Sequence, residues 1–216
     1  YLAEHYGYHV YIITWEQGGH SIVYPLSPKV THVDWGILFY RQYQYGLFKR
    51  MFMQWKMEKE FFKKLSNFVH TTQADIVIGA SCEFTTMAGM DLLQRKTHTI
   101  LETHSMRTSI EKNNPPAGNL LMRWAFKRRD KQLHQYIKHM SAFVTLTHND
   151  AKDWSDITPQ ARIIPNMLHR YPAEISPDKK TQKRIITAGR LVEQKGYDLL
   201  LDAWSKVHQK HPEWIL

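Results

Sequence analysis

The run Arg184-Ile185-Ile186-Thr187-Ala188, the turn at residues 189–194 and the helical pattern at residues 196–209 decide the fold. Three of the first five residues, Ile185, Ile186 and Thr187, are β-branched, which predicts a strand. A glycine and a charged turn end that strand, a helix follows, and Trp214 opens one more extended piece. A strand, a helix of ten or more residues and a second strand form the unit from which parallel sheets are assembled.

Upstream, the same alternation repeats. Residues 8–15 read as a buried strand before Gly18-Gly19, and residues 21–24 and 30–33 as short extended pieces. A long amphipathic helix then runs to about His70. Residues 74–79 are a core strand, residues 83–94 a helix and residues 98–102 a strand. Asn113-Asn114-Pro115-Pro116 is a loop, since paired prolines break a helix. Residues 119–140 are helical, 142–146 a strand, and Asn149 and Asp150 are N-caps for a short helix through Trp154. Residues 162–164 extend again before Pro165-Asn166. Two prolines, Pro172 and Pro177, and little apolar periodicity mark residues 168–183 as a linker. The expected organisation is a domain at 1–167, the linker, and the first β-α-β piece of a second domain at 184–216. The class is α/β, a Rossmann-like parallel sheet with helices on both faces, and there is no internal repeat.

With 216 residues the chain can bury a sizeable core. Its single cysteine, Cys82, cannot form an internal disulfide, so nothing asks for an oxidising compartment and the cytoplasm is the default. No apolar run approaches the ~20 residues of a membrane-spanning helix. The opening Tyr1-Leu2-Ala3-Glu4 carries no secretion signal, and both ends read as an internal piece of a longer protein.

Lys and Arg number 29 against 20 Asp and Glu. Residues 41–64 hold seven basic and two acidic residues, and residues 123–138 hold six and one. Such clusters concentrate anions, phosphates or anionic lipid headgroups. In the first cluster Phe48, Met51, Phe52, Trp55, Phe62 and Leu65 recur at helical spacing between lysines. Two readings of this helix stand: a core-facing stripe with a solvated basic face, or a helix lying on an anionic membrane surface, which would place the protein at the inner face of the membrane.

In parallel sheets, ligands gather beyond the carboxyl ends of the strands. There Arg190 presents a planar fork of donors and Lys195, five positions on, a compact charge at a helix opening. That pairing suits the two phosphates of one diphosphate, and the helix N-terminus adds to it.

The whole run at residues 188–204 resembles the signature of the retaining glycosyltransferases of family GT4, two-domain enzymes of the GT-B fold whose second domain holds a nucleotide sugar. The shared features are Gly189-Arg190-Leu191, then Lys195-Gly196, then Asp198-Leu199-Leu200 and Ala203. Ile163-Ile164-Pro165-Asn166 is similar to the family's interdomain Ile-Pro-Asn element. Ile100-Leu101-Glu102-Thr103-His104 resembles the element that ends in an active-site histidine. The resemblance implies that Arg190 and Lys195 bind the donor diphosphate and that His104 contacts the transferred sugar. It implies transfer, with retention, from a nucleotide-diphosphate sugar to a glycan or lipid-linked acceptor, in surface polysaccharide assembly. The family's first strand and its Glu-x7-Glu element fall outside the residues shown, so the chain alone is expected to lack transferase activity.

Glu83, after the strand that ends at Gly79, Arg107 and Asn166 are further expected contacts to the acceptor or the cleft. Glu102 is either a strand-end polar residue or one that orients a neighbour, and the first reading is preferred. No His, Cys, Asp or Glu spacing fits a zinc site, so neither metal nor cofactor is expected, the nucleotide sugar being a substrate. A dinucleotide-dependent oxidoreductase would need a Gly-x-Gly-x-x-Gly turn, which these residues lack. A sugar-nucleotide epimerase of the same fold and a basic nucleic-acid-binding module remain alternatives. The Lys195-Gly196 run favours the transferase, and no nucleic-acid motif accompanies the basic clusters.

Overall fold

A chain that leaves a strand and returns through a helix re-enters the sheet in the same direction, and every ladder among the described residues is parallel. The computed structural model describes residues 1–93, 97–111, 120–167 and 183–216. They fall into two compact units, Tyr1–Asn166 and Met167–Leu216.

In the first unit, the short helix α1 (Leu2–His5) precedes β1 (Val10–Thr14), which pairs with β2 (Val30–Asp34), Val10 opposite Val30. Helix α2 (Leu47–Thr72) leads to β3 (Ile76–Gly79), and α3 (Phe84–Asp91) to β4 (His98–Glu102). Helices α4 (Arg107–Ile110) and α5 (Leu120–His139) precede β5 (Ala142–Thr145), and α6 (His148–Asp153) precedes β6 (Arg162–Ile163). Strands β3, β4, β5 and β6 lie side by side in that order, with Ile100 opposite Ala142 and Val144 opposite Arg162. The unit is α/β, with parallel sheets flanked by helices in the Rossmann-like manner.

Two apolar clusters hold it. Met87 and Met90 of α3, Leu101 of β4, Leu133 and Ile137 of α5, Phe143 of β5 and Trp154 are buried together. Ile37, Met57 and Phe61 form the second, with Trp15, Trp35 and Phe39 set edge-on to Phe61 at centroid distances of 5.1, 5.7 and 6.3 Å. Helix α3 crosses α2 closely because Gly89 has no side chain: a Cβ there would stand 2.9 Å from the Phe61 ring and 3.0 Å from Leu65. Alternation along β3 turns Gly79 toward Met90 and sends Ile76 and Ile78 to the other face, where both are more than half exposed.

Several expectations are corrected. Residues 21–24 form no strand; Val23 and Tyr24 project into solvent. The cap of α6 is Thr147 rather than Asn149 or Asp150: its hydroxyl accepts from the Asp150 amide at 3.1 Å and donates to the Asp150 carboxylate at 2.7 Å. On α2, only Phe62 and Leu65 of the expected stripe pack inward, whereas Phe48, Met51, Phe52 and Trp55 are exposed. The inward face of the helix is instead Met53, Met57, Phe61, Leu65 and Val69. The loop at 113–116 and residues 168–182 of the linker lie outside the described residues.

In the second unit, α7 (Tyr197–Lys210) is the one described α-helix. The strands expected at 184–188 and at Trp214 reduce to a single parallel bridge between Arg184 and Ile215, closed by Ile185 N–H to Ile215 and Ile215 N–H to Lys183. Two segments without a third neighbour among the described residues make a marginal ladder.

Candidate functional site

Because β3 to β6 are parallel, their carboxyl ends share one edge of the sheet, and that edge is built from short polar turns. After β4, the Thr103 amide donates to Val144 at 2.9 Å and the Thr103 hydroxyl to the Ser105 carbonyl at 2.9 Å. Cys82, after β3, directs its thiol at the Glu102 carbonyl from 3.9 Å. Burial pushes this thiol up to about 11, against a smaller opposing effect of the Thr103 hydroxyl.

His104 follows β4 on this edge, exposed, with Nε2 3.6 Å from Glu102 Oε2. Residues two apart in extended chain point to one side, so the carboxylate that ends the strand stands beside the imidazole and can orient it. Of the two readings of Glu102 in the sequence, strand-end polarity and the orienting of a neighbour, the less favoured one matches this proximity, and the two-residue spacing is its signal. Glu83 occupies the N-cap position of α3 and is exposed, without capping the helix through its side chain. Asn166 follows β6 and is exposed at the boundary of the unit.

Arg107 is differently placed. Its guanidinium meets Asp156 at 2.5 and 3.2 Å, its Nε meets Glu111 at 2.6 Å, and Nη1 reaches the Asp153 carbonyl. The group also lies over the Trp154 ring, 5.1 Å from its centroid. Glu111 in turn meets His134 Nε2 at 2.6 Å. With two carboxylates against it, Arg107 is held charged and acts as a strut from α4 to the segment after α6, not as an open anion contact.

In the second unit, Gly189 leads into Arg190, whose carbonyl accepts from the Val192 amide at 2.9 Å, so the chain turns tightly. A 3-10 turn over Glu193–Lys195 follows, and Gly196 takes φ 60° at the N-cap of α7. Only glycine adopts that left-handed conformation without strain, which accounts for a Lys-Gly pair at a helix start. Gly196 supplies no side-chain cap, so the N-terminus of α7 lacks the side-chain hydrogen bond that an N-cap residue usually gives. Lys195 directly precedes Gly196 and Arg190 stands five positions earlier, both exposed, neither with a carboxylate partner among the described residues. Glu193 in the same turn and Asp198 in the first turn of α7 place acidic groups beside these two cations in the chain.

A hollow of about 570 Å³ also lies in this unit, lined mainly by Ile185, Ile186, Leu191, Leu200, Leu201 and Ile215. It is apolar, and Arg190 and Lys195 are not part of its wall. Among the described residues no group of three His, Cys, Asp or Glu could hold a metal ion, and no helix is long and apolar enough to cross a membrane. Comparison with protein-family models, with curated proteins and with solved structures finds no match to this chain.

Proposed function

We propose that the chain is part of a retaining glycosyltransferase of GT-B type, and that the turn from Arg190 to Gly196 receives the diphosphate of a nucleotide sugar. The observation that supports this is that Arg190 and Lys195, in the turn that leads to Gly196 at the N-cap of α7, are both exposed and have no carboxylate partner among the described residues. Cleavage of a sugar-to-phosphate bond develops negative charge on the departing oxygen. Fixed cations stabilise that charge more in the transition state than in the bound donor, which lowers the barrier. Arg190 can grip two oxygens at once, and Lys195 adds a point charge without fixing direction.

In the first unit, His104 is the residue that the resemblance assigns to the transferred sugar, and the Glu102 carboxylate lies 3.6 Å from its Nε2. Arg107 has no part in it, since its donors are already taken.

The test is binding of UDP, GDP and ADP to the 216-residue chain by calorimetry. One nucleotide class should bind, and Arg190→Ala and Lys195→Ala should each weaken it ~10-fold or more, as expected for losing one charge-assisted contact. Binding unchanged in both variants, or absent for all three nucleotides, would remove the reading.

A further inference from the structure

Helix α2 carries two apolar faces in its first half. At ~100° per residue, Met53 and Met57 point to one side, and Phe48, Met51, Phe52 and Trp55 point to nearly the opposite side. The first pair belongs to the cluster around Phe61. The second set is open: Phe48 is 87% exposed, Met51 63%, Phe52 59% and Trp55 50%. Leu47, at the helix start, is 69% exposed. Isolated apolar side chains on a surface are ordinary, but five on one helical end form a contiguous patch.

Charge surrounds this patch with one sign. Lys49, Lys56, Lys59 and Lys63 are exposed beside it, and none has a carboxylate partner among the described residues. Lys49 lies over the Tyr45 ring at 4.3 Å, Arg50 over Tyr43 at 4.2 Å and Lys59 over Trp55 at 3.9 Å. The acidic residues of the helix are committed elsewhere. Glu58 accepts from Gln54 at 2.6 Å and from Thr85 of α3 at 3.1 Å, and Glu60 pairs with Lys64 at 2.8 Å. The exposed face is therefore aromatic and apolar in the middle, with lysines at its margin, and both carboxylates of the helix, Glu58 and Glu60, already have partners.

We infer that this face of α2, centred on Phe52 and Trp55, docks on an anionic lipid bilayer, the helix lying in the plane of the headgroups. Phe48, Met51, Phe52 and Trp55 enter the boundary between headgroups and acyl chains, and the lysines extend along their stems to the phosphates. A second copy of the chain would bring two like-charged faces together. A duplex nucleic acid would meet the lysines but offer no apolar volume to Phe48 and Met51. The inference rests on the first unit alone and does not depend on the donor-site reading.

The experiment is sedimentation of the chain with vesicles of phosphatidylcholine, with and without ~30% phosphatidylglycerol, at ~0.1 M salt. Two triple variants accompany it: Lys49→Glu/Lys56→Glu/Lys59→Glu and Phe48→Ser/Phe52→Ser/Trp55→Ser. All six positions are exposed, and circular dichroism checks that both variants keep the helix content of the parent. The expected result is binding to the anionic vesicles only, reduced at least ~10-fold by either triple variant and by raising the salt. Equal binding to neutral vesicles, binding that survives either variant in folded form, or no binding at all would overturn the inference. So would self-association without lipid that the serine variant abolishes, or retention on duplex DNA in place of vesicles.

Discussion

Cys82 and Arg107 show what single side chains near the strand ends are doing. A thiol pushed up to about 11 by burial is almost wholly protonated near neutrality. Two pH units separate it from an ordinary thiol of 9.0, so at pH 8 its reaction with a disulfide reagent should run on the order of a hundredfold slower than in the urea-unfolded chain. A stopped-flow trace with equal rates in both states would refute this. The sign for stability follows: the raised thiol contributes fully below the unfolded value and loses that contribution as pH climbs through the folded one. Arg107→Ala removes one of the partners of buried Glu111, leaving His134, and should cost roughly 1 to 3 kcal/mol by denaturant titration, whereas Asp156→Asn, at the exposed end of the strut, should cost under about 1 kcal/mol. Arg107 depresses the Asp156 carboxyl, so that smaller contribution exists above the ordinary aspartate range and fades as pH falls through the lowered value. The parent and Asp156→Asn should converge in stability at acid pH.

Helix α2 marks where periodicity stops being informative. The three-to-four spacing announces a helix over residues 47–72 in either case, yet it cannot say which of two apolar sides meets the core. Contact decides that: Phe61 is seated among three rings from Trp15, Trp35 and Phe39, and nothing comparable stands opposite Phe52. The α2–α3 crossing was equally hidden, because a glycine in mid-helix looks like a weakness until Phe61 and Leu65 are seen against it. Gly89→Val should lose about 1 to 3 kcal/mol to overpacking, read as a drop in melting temperature, while Gly46→Ala, with open space around it, should change little. The turn from Arg190 to Gly196 was legible because glycine, charge and helix onset coincide in sequence. The cap at Thr147 was not, since Thr, Asn and Asp share the same preference and only backbone geometry picks among neighbours.

At the scale of the molecule, the two units differ in how much they bury. Among the described residues, the first holds all the fully buried ones, from Met87 to Trp154, whereas α7 of the second has none. Local opening is governed by buried apolar contact, so amides of α7 should exchange with deuterium well before those of β4 and β5 in this chain. Protection of α7 equal to that of Leu101 and Phe143 would contradict it. The pairing scheme itself has a further consequence. With no hairpin anywhere among the described strands, β4 has no sheet neighbour to its carboxyl side until residues 142–145 have been made, some forty positions later on the ribosome. A growing polypeptide therefore has Ile100 and Leu101 paired with β3 on one side and open on the other for that whole interval, and refolding slower than that of a helical bundle is the natural rate for such a topology.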